Sequence, residues 1–171
     1  MSLLPPGSAK AMSHSLRVYH GDRSRHPAMD ALHGRFLAAG DLAFDIGSHV
    51  GDRVSSFRRL GARVVALEPQ PACMRVLRLI HGRDPSVALI NAACGDRAGE
   101  VTFRINSANP TVSTVSEEFV KAADGAGGWS SLRAGPSAAT RVSMNGSFAA
   151  TLPTCGTASG NATAASVASA G

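Results

Sequence analysis

The sequence predicts an α/β fold built on a parallel sheet with flanking helices, incomplete on its C-terminal side. Three observations carry this prediction. Short apolar runs at residues 42–46, 63–68 and 87–91 are separated by stretches whose apolar residues recur at helical spacing. The first run leads into a glycine-bounded turn, Gly47-Ser48-His49-Val50-Gly51. The second run ends in an acidic residue, Glu68, 21 residues after Gly47. Strands alternating with helices imply right-handed crossovers and a sheet covered on both faces.

Taken in order, residues 1–15 are small, polar and proline-containing and are expected to form a mobile leader. Met29, Leu32, Phe36 and Leu37 place a helix over residues 28–38, with Gly40 as its stop. Leu42-Ala43-Phe44-Asp45-Ile46 reads as a buried parallel strand. Val50, Val54, Phe57 and Leu60 mark an amphipathic helix closed by Gly61. Arg63–Glu68 is the next strand, and Pro69-Gln70-Pro71 opens a helix with Cys73, Leu77 and Ile80 on one face. Val87–Asn91 is the third strand. Glu100–Ile105 alternates at period two, as a strand with one wet face does. A helix is expected from Ser116-Glu117-Glu118 to about Ala123. After Asp124 no acidic residue occurs, and from Ser130 onward Ala, Ser, Thr and Gly dominate, with Arg133 and Arg141 the only charges. The expected organisation is therefore a leader over 1–15, a partial cofactor-binding domain over 16–129 and an unordered, low-complexity tail over 130–171.

Composition narrows the function classes. A chain of 171 residues is one domain by length. The net charge of +5 comes almost wholly from arginines, since Lys10 and Lys121 are the only lysines. Those arginines form no stripe and alternate with no aromatic platform, which argues against nucleic acid. Cys73, Cys94 and Cys155 show no CxxC spacing, and the six histidines no ligand spacing, so no metal is expected. No apolar stretch has the length of a signal peptide or a membrane span, and a cytoplasmic location is the expectation.

The chemistry concentrates at two strand ends. Ligands of open parallel sheets bind outside the carboxyl ends of the strands. Asp45 and Glu68 stand there, and glycine at positions 47 and 51 lets a ligand approach the backbone. The following helix offers free N–H groups near Val50, and the two oxygens of Glu68 suit the two hydroxyls of a ribose. A dinucleotide needs G-x-G-x-x-G, but Ser48-His49 occupies the middle here, and Asp45 would repel a pyrophosphate. S-adenosylmethionine fits better, with its ammonium approached by Asp45 directly or through water, and its ribose held by Glu68. His49 is weighed as a general base, but a histidine in the first turn of a helix is commonly exposed, and that reading is preferred.

The stretch from about Leu16 to Trp129 resembles the FkbM family of methyltransferases. The resemblance rests on Gly40-Asp41-Leu42-Ala43-Phe44-Asp45-Ile46-Gly47-Ser48-His49-Val50-Gly51, on Val65-Ala66-Leu67-Glu68-Pro69, and on Asn91-Ala92-Ala93-Cys94-Gly95-Asp96 followed by Gly99-Glu100-Val101-Thr102-Phe103. It implies a Rossmann-like sheet, S-adenosylmethionine as cofactor, and methyl transfer to oxygen on a sugar or another hydroxylated small molecule. It gives Asp45, Gly47, Gly51 and Glu68 cofactor-binding roles and puts Asn91 near the adenine. No catalytic residue is assigned. Family members continue with a strand resembling V-K-I-D-V-E-G, which this chain lacks. The expectation is thus a truncated methyltransferase whose tail derives from a shifted reading frame. The competing readings are a non-catalytic cofactor-binding fragment and, less favoured, an NAD-dependent oxidoreductase fragment. Oligomeric state is not legible.

Overall fold

The computed structural model describes residues 8–95 and 98–105, residues 113, 114, 116, 118 and 122, and the strand at 138–145. Helix α1 (Ser8–His20) is followed by a short 3-10 turn (Arg23–Arg25) and α2 (His26–His33). Then come β1 (Leu42–Ile46), α3 (Asp52–Arg59), β2 (Arg63–Leu67), α4 (Pro71–His81) and β3 (Val87–Ile90). Strands β4 (Ala93–Cys94), β5 (Gly99–Ile105) and β6 (Ala138–Asn145) complete the described elements.

The expected parallel sheet is present. β1, β2 and β3 lie side by side in that order, with Leu42 opposite Arg63 and Val64 opposite Val87. This is an α/β architecture of the Rossmann type, with β1 at one edge of the described sheet. Helices α3 and α4 are the two crossovers. Val54 and Phe57 from α3, and Met74 and Leu77 from α4, pack on Ala43, Val64 and Ala66 in one buried cluster. Met74 is 1% exposed and Leu77 0%, so each contributes about 1.5–3 kcal/mol by leaving water.

The second sheet joins β4, β6 and β5, with β6 antiparallel to β5 from Ala138 opposite Ile105 to Met144 opposite Gly99. Phe103 and Ala93 are buried there beside Val101 and Ile105.

Four expectations change. The leader expected over residues 1–15 contributes helix from Ser8 onward, because Ala11, Met12 and Ser15 form a buried stripe of mostly small residues. Within the tail expected to lack regular structure, residues 138–145 form β6, since the β5 edge supplies backbone partners whatever the local composition. α2 ends at His33 rather than near residue 38; Gly34 N–H bonds Asp30 C=O, and the N–H groups of Phe36 and Leu37 both turn back to His33 C=O. Leu32 and Phe36 consequently face outward, at 53% and 63% exposure, while Leu37 is buried. On α4, Ile80 is exposed and His81 is buried in its stead. The helix expected over 116–123 lies largely outside the described residues.

Candidate functional site

The site is assembled where β1 and β2 end. After Ile46 the chain turns through Gly47 (φ 77°), His49 (φ 49°) and Gly51 (φ 83°), the last being the N-cap of α3. The N–H groups of Gly47 and Ser48 both donate to Leu67 C=O, at 2.9 and 3.0 Å. Ser48 Oγ donates to Asp45 C=O at 2.8 Å, and Gly51 N–H to Ser48 C=O at 2.8 Å. The loop is therefore tied to both strands. A left-handed histidine costs about 1 kcal/mol or more, and here the compensating bond is visible: His49 N–H donates to Glu68 Oε2 at 2.8 Å. The α3 helix begins at Asp52, two residues later than the sequence implied.

Glu68 is the centre of this arrangement. It is 2% exposed, and its second oxygen, Oε1, accepts from Gln70 N–H at 2.8 Å. A carboxylate has about four acceptor positions, so two backbone donors leave capacity for hydroxyl groups. Burial pushes the Glu68 carboxyl up to about 7, the two backbone donors oppose that, and the nearby Asp45 charge adds to it. Asn91 does not reach the carboxylate. Its Nδ2 donates to the main-chain carbonyls of Glu68 (2.7 Å) and Pro69 (3.2 Å), fixing the bend that follows β2.

Asp45 is buried, and its Oδ1 is held by Arg53 Nε at 2.8 Å, while Oδ2 is buried without a partner. Burial raises its carboxyl above the usual range, and the Arg53 guanidinium pulls the other way. Arg53 also donates from Nη2 to Gly47 C=O at 3.0 Å. The exposed histidine expected at position 49 is instead half-buried. Its ring meets Tyr19 edge-on, with centroids 5.3 Å apart, and its Nε2 is buried without a partner. Burial holds that imidazole below its ordinary value, which favours its neutral form.

The structure thus brings Asp45, Gly47, Gly51 and Glu68 together, with Asn91 behind Glu68. Sequence reasoning missed Arg53, Tyr19 and His20, whose Nε2 donates to Val50 C=O at 2.8 Å. The one available signal was the opposite charge of Asp45 and Arg53 on either side of the glycine loop.

The space at Gly47 matters for ligand access. A Cβ there would meet nothing within 4 Å, although the same backbone conformation at Gly51 is packed against Leu77 and His81. Open backbone at Gly47 and an acceptor-rich carboxylate at Glu68 fit a hydroxylated ligand such as a nucleoside, whereas the orphaned oxygen of Asp45 is buried. Among the described residues no group of His, Cys, Asp and Glu could hold a metal ion, and no helix is long and apolar enough to cross a membrane.

No protein-family model matches the chain, and no curated protein matches its sequence. Solved structures resemble it over part of its length. The glycopeptide N-methyltransferase MtfA complexed with sinefungin aligns at 18% identity over 43% of this chain and 33% of its own, with a TM-score of 0.33. MtfA complexed with S-adenosyl-L-methionine gives the same identity and coverage with a TM-score of 0.32. A methyltransferase from Geobacter sulfurreducens aligns at 20% identity over 53% of this chain and 50% of its own, with a TM-score of 0.36. The chain spans a third to a half of the length of these structures.

Proposed function

We propose that the chain binds S-adenosylmethionine across the ends of β1 and β2 and serves methyl transfer to an oxygen of a hydroxylated small molecule or sugar. The observation that carries the reading is the joint placement of the glycine loop, open at Gly47, and the buried Glu68 carboxylate on neighbouring strand ends, linked by the His49 N–H bond. The missing central glycine disfavours a dinucleotide, whose pyrophosphate needs close backbone approach at that point.

The residues divide the work. Glu68 accepts the ribose hydroxyls with the acceptor positions that His49 and Gln70 leave over. Gly47 presents bare backbone to the ligand's tail. Asn91 holds the Glu68–Pro69 main chain in place beside the adenine. Bound there, the cofactor supplies an electrophilic methyl group on sulfur. The protein's task is then in-line positioning of the acceptor oxygen, which needs orientation more than a strong base.

A second reading, cofactor binding without transfer, is favoured by the place of β1 at the edge of the described parallel sheet. Sites in such sheets form in the crevice where the strand order reverses, and the described strands lie on one side of β1 only.

Calorimetry with S-adenosylhomocysteine and NAD tests the assignment. The nucleoside thioether is expected to bind, and NAD to bind far more weakly or not at all; tighter NAD binding overturns it. Hydroxyl donors favour the ionised form of Glu68, so affinity is expected to rise with pH through about 7. Between about pH 6 and about pH 8 the gain approaches about tenfold. Glu68→Gln should abolish that pH dependence. Methyl transfer to hydroxylated acceptors by the purified chain separates the two readings.

A further inference from the structure

Among the described residues, the Asp45–Arg53 pair leaves half of a guanidinium without a partner. Arg53 follows Asp52 in the first turn of α3 and folds back over the end of β1. Its Nε donates to Asp45 Oδ1 at 2.8 Å and its Nη2 to Gly47 C=O at 3.0 Å. Both bonds use the flank of the guanidinium that carries Nε. An arginine has five N–H donors in a fixed planar fork. The far edge, with one N–H from each terminal nitrogen, therefore keeps two parallel donors. Neither has another partner among the described residues, and the Arg53 side chain is 23% exposed. Asp52, the neighbouring carboxylate, makes no hydrogen bond to it.

We infer that Arg53 is a binding residue for the carboxylate at the amino-acid end of the ligand, taken end-on by that free edge; the inference rests on the cofactor reading above. Two parallel N–H groups match the two oxygens of a carboxylate, a pairing shorter and about twice as strong as neutral hydrogen bonds. Position supports the match. The guanidinium is bonded to the carbonyl of Gly47, the residue with open space where a side chain would stand. Charge supports it too. Asp45 is neutralised by Arg53, and its remaining oxygen has no surface for a ligand to reach. The group presented at the loop is thus a guanidinium edge that only donates, which suits a carboxylate and offers an ammonium no acceptor. Asp45, expected from sequence to meet the ligand's ammonium, instead fixes the arginine that meets its carboxylate. The site accordingly selects nucleosides that carry an amino-acid tail.

The test is calorimetry on the full 171-residue chain with two ligands. S-adenosylhomocysteine has the tail; 5′-methylthioadenosine has the same nucleoside and sulfur without it. The unaltered chain should prefer the former. Arg53→Gln should weaken S-adenosylhomocysteine binding about 10- to 100-fold and change 5′-methylthioadenosine binding by less than about twofold. Arg53→Lys keeps a charge beside Asp45 but loses the fork, so it guards against loss of fold and should show the same selective defect at smaller size. An unchanged affinity for S-adenosylhomocysteine in both variants, or equal weakening of both ligands, overturns the assignment of Arg53 while leaving the cofactor reading in place. If the unaltered chain binds neither nucleoside, both fall.

Discussion

Gly47 and Gly51 share a left-handed backbone but face different surroundings, and that difference separates ligand access from stability. At Gly51 an added Cβ would sit 2.6 Å from Leu77 Cδ2 and 3.1 Å from His81 Nε2, both on α4. Gly51→Ala is therefore expected to lower stability by about 2–4 kcal/mol, from the backbone penalty and overpacking together. Gly47→Ala meets no such obstacle and should cost about 1–2 kcal/mol, all of it conformational. Its new methyl group, however, enters the space assigned to the ligand. A thermal melt should thus rank Gly51→Ala as the more damaging change, whereas calorimetry with S-adenosylhomocysteine should show the larger affinity loss per degree of Tm for Gly47→Ala. The reverse ranking in both measurements would move the ligand away from the loop.

At the level of elements, α2 is fastened to α3 by a polar chain rather than by the apolar stripe its sequence advertises. Ser56 Oγ gives its single proton to Asp30 Oδ1 at 2.6 Å, so His33 Nδ1–H must be the donor in the 2.8 Å bond to Ser56 Oγ. Arg59 closes the chain with two bonds of 2.7 Å to Asp30. Ser56 is fully buried, so Ser56→Ala strands the His33 donor and should cost about 1–3 kcal/mol in urea unfolding; a change below about 0.5 kcal/mol would mean that water replaces the hydroxyl. This chain also shows why some of the fold was legible and some was not. β1 matches its run residue for residue, because a parallel strand covered by helices must be apolar along its length, apart from Asp45 near the end that faces the site. The glycine turn and the acidic strand end were legible for a similar reason: few residue types suit a left-handed turn or a strand end facing a ligand. Leu32 and Phe36 misled, since helical spacing says which residues share a face but not whether another element covers it. Arg53 escaped notice because a charge in the first turn of a helix normally reads as solvated.

For the whole molecule, α1 changes the picture most. Met12 packs with Val50, Cys73 and Val76, and Leu16 and Tyr19 border the same cluster, so this helix joins the glycine loop to α4. Met12→Ala should cost about 2–4 kcal/mol through lost burial and the cavity left behind. It should also open Cys73, which is fully buried and whose thiol burial pushes far up, to a thiol reagent. In the unaltered chain Cys94, which is exposed, should react well before Cys73. Equal labelling of both cysteines without Met12→Ala would contradict the packing of α1. The same docking has a consequence for synthesis on the ribosome. α1 is made well before α4, which carries its partners Cys73 and Val76. At roughly 5–20 residues per second the wait lasts on the order of seconds, and a helix of 13 residues is marginal in water by itself. Met12, Leu16 and Tyr19 therefore stay open to solvent on the nascent chain, available to chaperones, until α4 emerges and closes over them.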